Sequence, residues 1–170
     1  MPERFDQLVL PHLDAAYNLA RWLVSNPSDA EDIVQEAFLR ALRFFGDFRG
    51  GDSRAWLLKI VRNTSYTWVR KNRPGQLADE FDETIHSDEQ ASENAEVKLL
   101  SSAESERVRK ALEGLPVTFR EVLVLREIEG LSYKEISEVT GAAMGTVMSS
   151  LSRARHRLRV QLGAASGKEV

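Results

Sequence analysis

The chain has 170 residues and a formal net charge of −3, is 42% hydrophobic and 29% charged, and contains no Cys. That excludes a disulfide framework and a thiolate metal site, and the scattered His12, His86 and His156 form no metal or catalytic cluster, so no cofactor is expected. No apolar run approaches the length of a membrane span, and the opening MPERFDQLVL is charged and unlike a signal peptide, so a cytoplasmic location is expected.

Taken in order, the pattern predicts helices throughout, an all-α chain. Phe5 to Val24 carries an apolar stripe of Leu8, His12, Ala15, Ala16, Leu19, Trp22 and Leu23, with Pro11 near its start. Asn26-Pro27 reads as a turn. Ser28 is then placed to cap a second helix, with Glu31 completing a capping box. That helix, Ser28 to Phe45, turns Ile33, Ala37, Phe38, Ala41 and Phe44 or Phe45 inward, and Asp29, Asp32, Gln35, Glu36 and Arg40 elsewhere. Phe48 to Asp52 is a loop. Ser53 to Lys71 is a third helix with a wide apolar face of Trp56, Leu57, Ile60, Val61, Thr64 and Trp68, while Arg62, Asn63, Tyr66, Arg70 and Lys71 decorate the rest. Pro74-Gly75 closes this part. Gln76 to about Ala91 is acidic and poor in apolar residues, as in a flexible tether. Helix resumes near Glu93 and runs to Glu113, with Val97, Leu100, Val108 and Leu112 as core contacts. Leu115-Pro116 then opens a strongly apolar helix that Gly130 stops.

Leu131 to Leu162 is the most specific stretch. Ser132 and Glu135 have capping-box spacing, Ile136 and Val139 give one apolar face, and Gly141 stands where a left-handed backbone is cheap. The next helix, from near Ala143, aligns Met144, Val147, Leu151, Ala154 and Leu158 on one side and Thr146, Ser149, Ser150, Arg153 and Arg157 on the other. A short helix, a Gly turn and a longer helix with a polar, basic face is a helix-turn-helix pattern whose second helix suits the major groove. A plain αα-hairpin with a solvated basic face fits the same periodicity.

Charge distribution explains why an acidic total accompanies a nucleic-acid pattern. Arg49, Arg54, Lys59, Arg62, Arg70, Lys71 and Arg73 face only Asp52 within residues 49–73, and Arg153, Arg155, Arg157 and Arg159 form a second cluster. Local patches, not the total, set affinity for DNA. Phe48, Trp56, Tyr66 and Trp68 lie among the first set, and cations interleaved with rings suit single strands, where phosphates meet charge and bases stack. Trp56 and Trp68 also fit plain core packing, and Asp29, Glu31, Asp32 and Glu36 fit either a solvated face or a dock for a basic partner. Gly50-Gly51 is a turn signal, not a phosphate loop, and the chain offers no enzyme site.

In order and spacing, these motifs resemble the extracytoplasmic-function (group IV) sigma factors of the sigma-70 family. DAEDIVQEAFLRAL (Asp29 to Leu42) is similar to the family's segment that docks on the polymerase clamp helices. FRGGDSRAWLLKIVRNTSYTWVRKNR (Phe48 to Arg73) resembles its segment for melting and reading the −10 element, and Leu115 to Leu158 resembles its −35-reading domain. The resemblance implies an N-terminal domain over residues 1–74, an acidic linker over 75–92 that runs along the polymerase cleft and RNA exit path, and a C-terminal domain over 93–170. It implies core polymerase contacts from Asp29, Asp32, Gln35, Glu36, Leu39 and Arg40. It implies −10 contacts from Phe48, Arg49, Asp52, Ser53, Trp56, Lys59, Arg62, Asn63, Arg70 and Lys71, and −35 contacts from Thr146, Met148, Ser149, Ser150, Ser152, Arg153 and Arg157. Core RNA polymerase, promoter DNA (duplex at −35, single-stranded at −10) and an anti-sigma factor are the partners it implies. The family often has Lys or Arg where Met148 stands and Arg where Ser150 stands, so two phosphate or base contacts are missing here; Met148 suits a thymine methyl instead. A stand-alone helix-turn-helix regulator is the alternative, but it leaves the basic aromatic helix and the Asp29–Leu42 helix without a task.

Overall fold

The computed structural model describes residues 2–75 and 102–167, and every regular element among them is helical. The acidic tether at 76–91 and the expected helix start near Glu93, with Val97 and Leu100, lie outside the described residues.

The N-terminal bundle comprises α1 (Pro2–Val9), a 3-10 turn (Leu10–His12), α2 (Leu13–Val24), α3 (Pro27–Phe44) and α4 (Ser53–Asn72). The single helix expected from Phe5 to Val24 is therefore two. Pro11 has no N–H to give the ladder and its ring crowds the preceding turn, so the chain tightens there and restarts at Leu13. The kink brings Phe5 and Val9 into the core with Ala16, Leu19, Ala20, Leu23 and Val24. The cap of α3 also differs from expectation. Asn26, not Ser28, is the N-cap, its Oδ1 accepting from the Asp29 N–H at 3.0 Å, with Pro27 as first helical residue. Pro27 has its φ preset for a helix and no N–H to satisfy, so the helix starts ahead of Ser28 and leaves that serine in the first turn. Asp52 caps α4 by accepting from the Ala55 N–H at 2.9 Å.

The C-terminal bundle comprises α5 (Ser102–Glu113), α6 (Val117–Leu123) with a wide π turn (Val124–Ile128), α7 (Tyr133–Thr140) and α8 (Met144–Gly167). Pro116 serves as the N-cap of α6, one position earlier than a first-turn proline. The capping box on α7 is complete: Ser132 Oγ accepts from the Glu135 N–H at 3.0 Å, and Glu135 Oε1 accepts from the Ser132 N–H at 2.8 Å. Gly141 ends α7 at φ 80°, a left-handed position that any Cβ would strain. Val147, Leu151, Ala154 and Leu158 are buried against Leu123, Leu125, Leu131 and Ile136, while Met144, expected on that face, is exposed because α8 begins there, short of the core.

The bundles pack on one another, α4 against α7 and α2 against α6. Two adjacent charges of α6 are buried in this seam. Arg120 donates to the Leu112 and Leu115 carbonyls of its own bundle at 3.2 and 3.0 Å, and across the seam to the Trp22 carbonyl at 2.7 Å. The carbonyls lie at the ends of α2 and α5 and in the turn after α5, so the guanidinium acts as a shared C-terminal cap. Glu121 faces α4: its Oε2 takes the Arg62 Nε–H at 2.7 Å and its Oε1 the Tyr66 hydroxyl at 2.9 Å. Tyr66 and Arg62, read from sequence as surface decoration of α4, are thus seam residues; a charge on a helix shows its position in a pattern but not its partner.

The cap correction is testable. Asn26→Ala should destabilise the protein by about 1 kcal/mol through loss of a cap, whereas Ser28→Ala should change stability by less than ~0.5 kcal/mol. Urea unfolding followed by helical circular dichroism distinguishes them; equal effects would place the cap wrongly.

Candidate functional site

Three separate surfaces hold the residues singled out from sequence. On α3, Asp32, Gln35, Glu36 and Leu39 are exposed on the side away from Ile33, Ala37 and Ala41. Arg40 pairs with Glu36 at 2.7 Å one turn away, and Asp29 is half-buried in the first turn. Leu39 is 65% exposed, and Leu42, also exposed, extends the apolar strip beyond it. The strip's continuation past Leu39 was missed from sequence, although Leu42 falls off the Ile33–Ala37–Ala41 face and so carried the signal; of the alternatives Phe44 and Phe45 on the inward face, Phe45 is the buried one.

The second surface is α4 with the turn before it. Phe48 stacks on Phe45 at 5.9 Å and meets Trp56 at 5.1 Å, and Phe5 closes the cluster edge-on to Phe45 at 5.3 Å. Phe48 and Trp56 are therefore half core, half surface, which joins the two readings their periodicity left open. Gly50 and Gly51 adopt φ 91° and 88°, so the turn that exposes Arg49 and Asp52 needs glycine at both. Ser53 Oγ lies 3.4 Å from His12 Nε2, and burial, with Arg54 beside it, holds the His12 imidazole below its ordinary pKa. Lys59, Asn63, Thr67 and Arg70 are exposed at i, i+4, i+8 and i+11, one continuous line, with Lys71 next to it. Arg62 does not join them. Burial works against its charge, but Glu121 and Tyr66 outweigh this and raise its pKa, and its guanidinium also lies 4.1 Å from the Tyr66 ring. Burial pushes the Glu121 carboxyl above its usual range, an effect that Arg62 and Tyr66 oppose without cancelling.

The third surface is the outer side of α8. Thr146, Met148 and Ser149 are exposed, and Ser150, Ser152, Arg153 and Arg157 are half-buried on its flanks. The arginine cluster divides by partner. Arg155 makes two hydrogen bonds to Glu127 Oε2, at 3.2 and 2.9 Å, and Arg157 lies over the Phe119 ring at 5.6 Å. The Nε of Arg153 is shielded from solvent and has no hydrogen-bond partner. A buried donor left unsatisfied is costly. His156 stands exposed in line with Ser149 and Ser152, a position overlooked although its i, i+3, i+7 spacing was legible.

Each of the two bundles matches a family model. The model of sigma-70 region 2 matches residues 8–74 and that of sigma-70 region 4 matches residues 105–158. The chain is 36% identical over 167 residues to the ECF RNA polymerase sigma factor SigE of Mycolicibacterium smegmatis, a match that covers 96% of this chain and 63% of that relative, so it spans less than two thirds of the relative's length. It is 34% identical over 161 residues to the RNA polymerase sigma-H factor of Pseudomonas aeruginosa, covering 91% of this chain and 83% of that one. The sigma factor RpoE of Bartonella quintana, solved in complex with the anti-sigma factor NepR, matches with a TM-score of 0.71 at 32% identity, over 95% of this chain and 98% of that chain. The chain belongs to the extracytoplasmic-function sigma factors. It is a transcription initiation factor, not an enzyme and not a stand-alone regulator. In this sigma factor the region 2 match spans α2 to α4, and the region 4 match takes in most of α5 and runs to Leu158 on α8.

The two roles of the aromatic cluster separate by stability. Phe48→Ala should lower the unfolding free energy of the sigma factor by about 1–3 kcal/mol, because it opens a gap against Phe45 and Trp56. Asn63→Ala, an exposed position, should stay within ~0.5 kcal/mol. Thermal unfolding of both checks this, and a silent Phe48→Ala would remove the ring from the fold's support.

Proposed function

We propose that this sigma factor binds core RNA polymerase through the outer face of α3, holds the melted −10 strand along α4 and the Phe48–Ser53 turn, and reads duplex −35 DNA with α8. The observation that carries the reading is the α3 face. Leu39, two-thirds exposed amid Asp32, Gln35 and Glu36, serves nothing inside the fold, and an apolar residue ringed by acids suits a protein partner with a basic rim. The line Lys59, Asn63, Thr67 and Arg70 offers cations and amide groups beside the partly open rings of Phe48 and Trp56, the combination that unpaired bases require. Arg153, with its donor unmet, suits a base edge or phosphate in the major groove, flanked by Ser149 and Met148. The domain limits follow: polymerase docking and melting over residues 1–74, −35 recognition over 93–170, with 75–92 between. An anti-sigma factor is a further partner, in keeping with the Bartonella relative held by NepR. The cytoplasm is where such a factor works, and among the described residues no helix is long and apolar enough to cross a membrane.

Run-off transcription with purified core polymerase, with and without this chain, tests the reading as a whole. Reversing Asp32 and Glu36 to Lys together should weaken binding to core polymerase by ~2–5 kcal/mol if the pair is buried on docking, without loss of helicity. Unchanged affinity in a titration would sink the assignment of α3.

Arg153→Ala should cost roughly 1–3 kcal/mol of promoter binding and relax specificity at one −35 position if the contact is bidentate to a base. A loss uniform across sequences, with the salt slope reduced by about one, would assign it to phosphate. A variant that transcribes normally from every promoter tested would take Arg153 out of the interface.

A further inference from the structure

The seam between the bundles carries buried charges and polar contacts beside its apolar ones, where a permanent interface is usually apolar throughout. Glu121 is 2% exposed, yet both of its side-chain partners, Arg62 and Tyr66, lie on α4 of the other bundle. Nothing within its own bundle satisfies the carboxylate, so its burial is created by closure and ends with opening. Other polar groups also meet across the seam. Arg54 donates to the Glu129 carbonyl at 3.2 Å and lies 3.6 Å from Glu135, and Asn18 donates to Glu129 Oε2 at 3.5 Å. Packing is incomplete beside them, where an apolar pocket of about 100 Å³ opens between Trp22 and Leu112, Leu123 and Leu158. Burying an ion pair gains little over an apolar contact, because two hydration shells are lost, but removing one partner of a buried pair is strongly unfavourable. Such a contact holds one arrangement without making it irreversible, since every group in it is content in water once the bundles part.

Closure also has a consequence for α4. Arg54, Arg62 and Tyr66 run along one side of the helix at i, i+8 and i+12, next to the exposed line of Lys59, Asn63 and Arg70. With Glu121 in place, Arg62 is spent on a carboxylate, and an anionic α6 sits where a phosphate would have to approach. We propose that Glu121, clamped by Arg62 and Tyr66, is an autoinhibitory latch: it holds the C-terminal bundle on α4 in the free protein and competes with a single DNA strand for Arg62. The proposal rests on the reading of α4 as the single-strand surface. It assigns Arg62 two alternative anionic partners, one internal and one in the opened promoter.

The test uses the full chain, which contains no Cys and so accepts a dye pair after Asp14→Cys and Glu138→Cys, both exposed positions on different bundles. Single-molecule energy transfer then reads the open-to-closed ratio. Glu121→Gln, which leaves the Arg62 charge unpaired in the seam, should raise that ratio about tenfold or more. Tyr66→Phe removes one hydrogen bond without changing any charge and should shift it less, in the same direction. Circular dichroism checks that helicity is retained. Binding of a mixed-sequence single-stranded DNA oligonucleotide, followed by anisotropy at low salt, should tighten several-fold in both variants, the charge-neutral Tyr66→Phe excluding a mere change in net charge. An unchanged energy-transfer distribution in both variants would overturn the latch and leave the reading of α4 intact. Opening without any gain in oligonucleotide binding would overturn autoinhibition and, with it, the assignment of α4 as the single-strand surface.

Discussion

Two consecutive charges, Arg120 and Glu121, are buried side by side on α6, and much of the arrangement follows from the need to satisfy them. Neither is able to reach water, so each must be met by fixed partners. Arg120 is met by carbonyls at three helix or turn ends, two in its own bundle and one at the end of α2. It therefore stabilises the C-terminal bundle whether or not the bundles touch, and adds one bond when they do. Glu121 is met only across the seam. Adjacent residues thus divide the work: one fixes architecture, the other registers whether the two halves are together.

That division is possible because α4 serves three surroundings at once. Leu57, Leu58 and Val61 are fully buried in the N-terminal core. Arg54, Arg62 and Tyr66 meet the C-terminal bundle, and Lys59, Asn63 and Arg70 meet solvent. A 20-residue helix has room for this, since each stripe needs only about a third of the circumference. The helix owes its direction to Asp52 at one end and to aromatic packing at Trp56, so the turn that presents Phe48 and Arg49 is rigidly tied to it.

Sequence reasoning captured what depends on local chemistry. The Ser132–Glu135 box, the Gly141 stop, the Ser53 start and the buried side of α8 each follow from a few neighbouring residues, and each is found in the fold. Where two local signals competed, it chose wrongly: Ser28 with Glu31 satisfies the capping-box pattern, but Asn26 followed by Pro27 starts the helix first. Pro11 was noted only as lying near the start of a single helix, when the residues before it are already helical. Glu121 and Tyr66 were out of reach for another reason. Periodicity identifies a face, and Glu121 shares its face with Val117, Val124 and Leu125; which groups meet its carboxylate depends on a helix about 55 residues earlier in the chain, a distance no local pattern spans. The candidate interface residues were legible as residue types on helices that the fold contains, but not as a division between free groups and groups already in use.

The basic cluster of α8 illustrates why that last distinction matters. Arg153, Arg155, Arg157 and Arg159 read as one patch in sequence, and electrostatic steering of a polyanion would count them equally. In the fold they are unequal. Arg155 is committed to Glu127, which ties α8 to the π turn of α6, and Arg157 covers the Phe119 ring. Arg159 is open to solvent, and only Arg153 combines a shielded donor with the absence of a partner. A flexible, hydrated arginine contributes field and on-rate, whereas a guanidinium already held by packing gives up less entropy when it meets an acceptor. On the proposed reading, Arg153 and the short side chains around it are therefore the candidates for specific recognition, while Arg155 and Arg157 are in use within the fold.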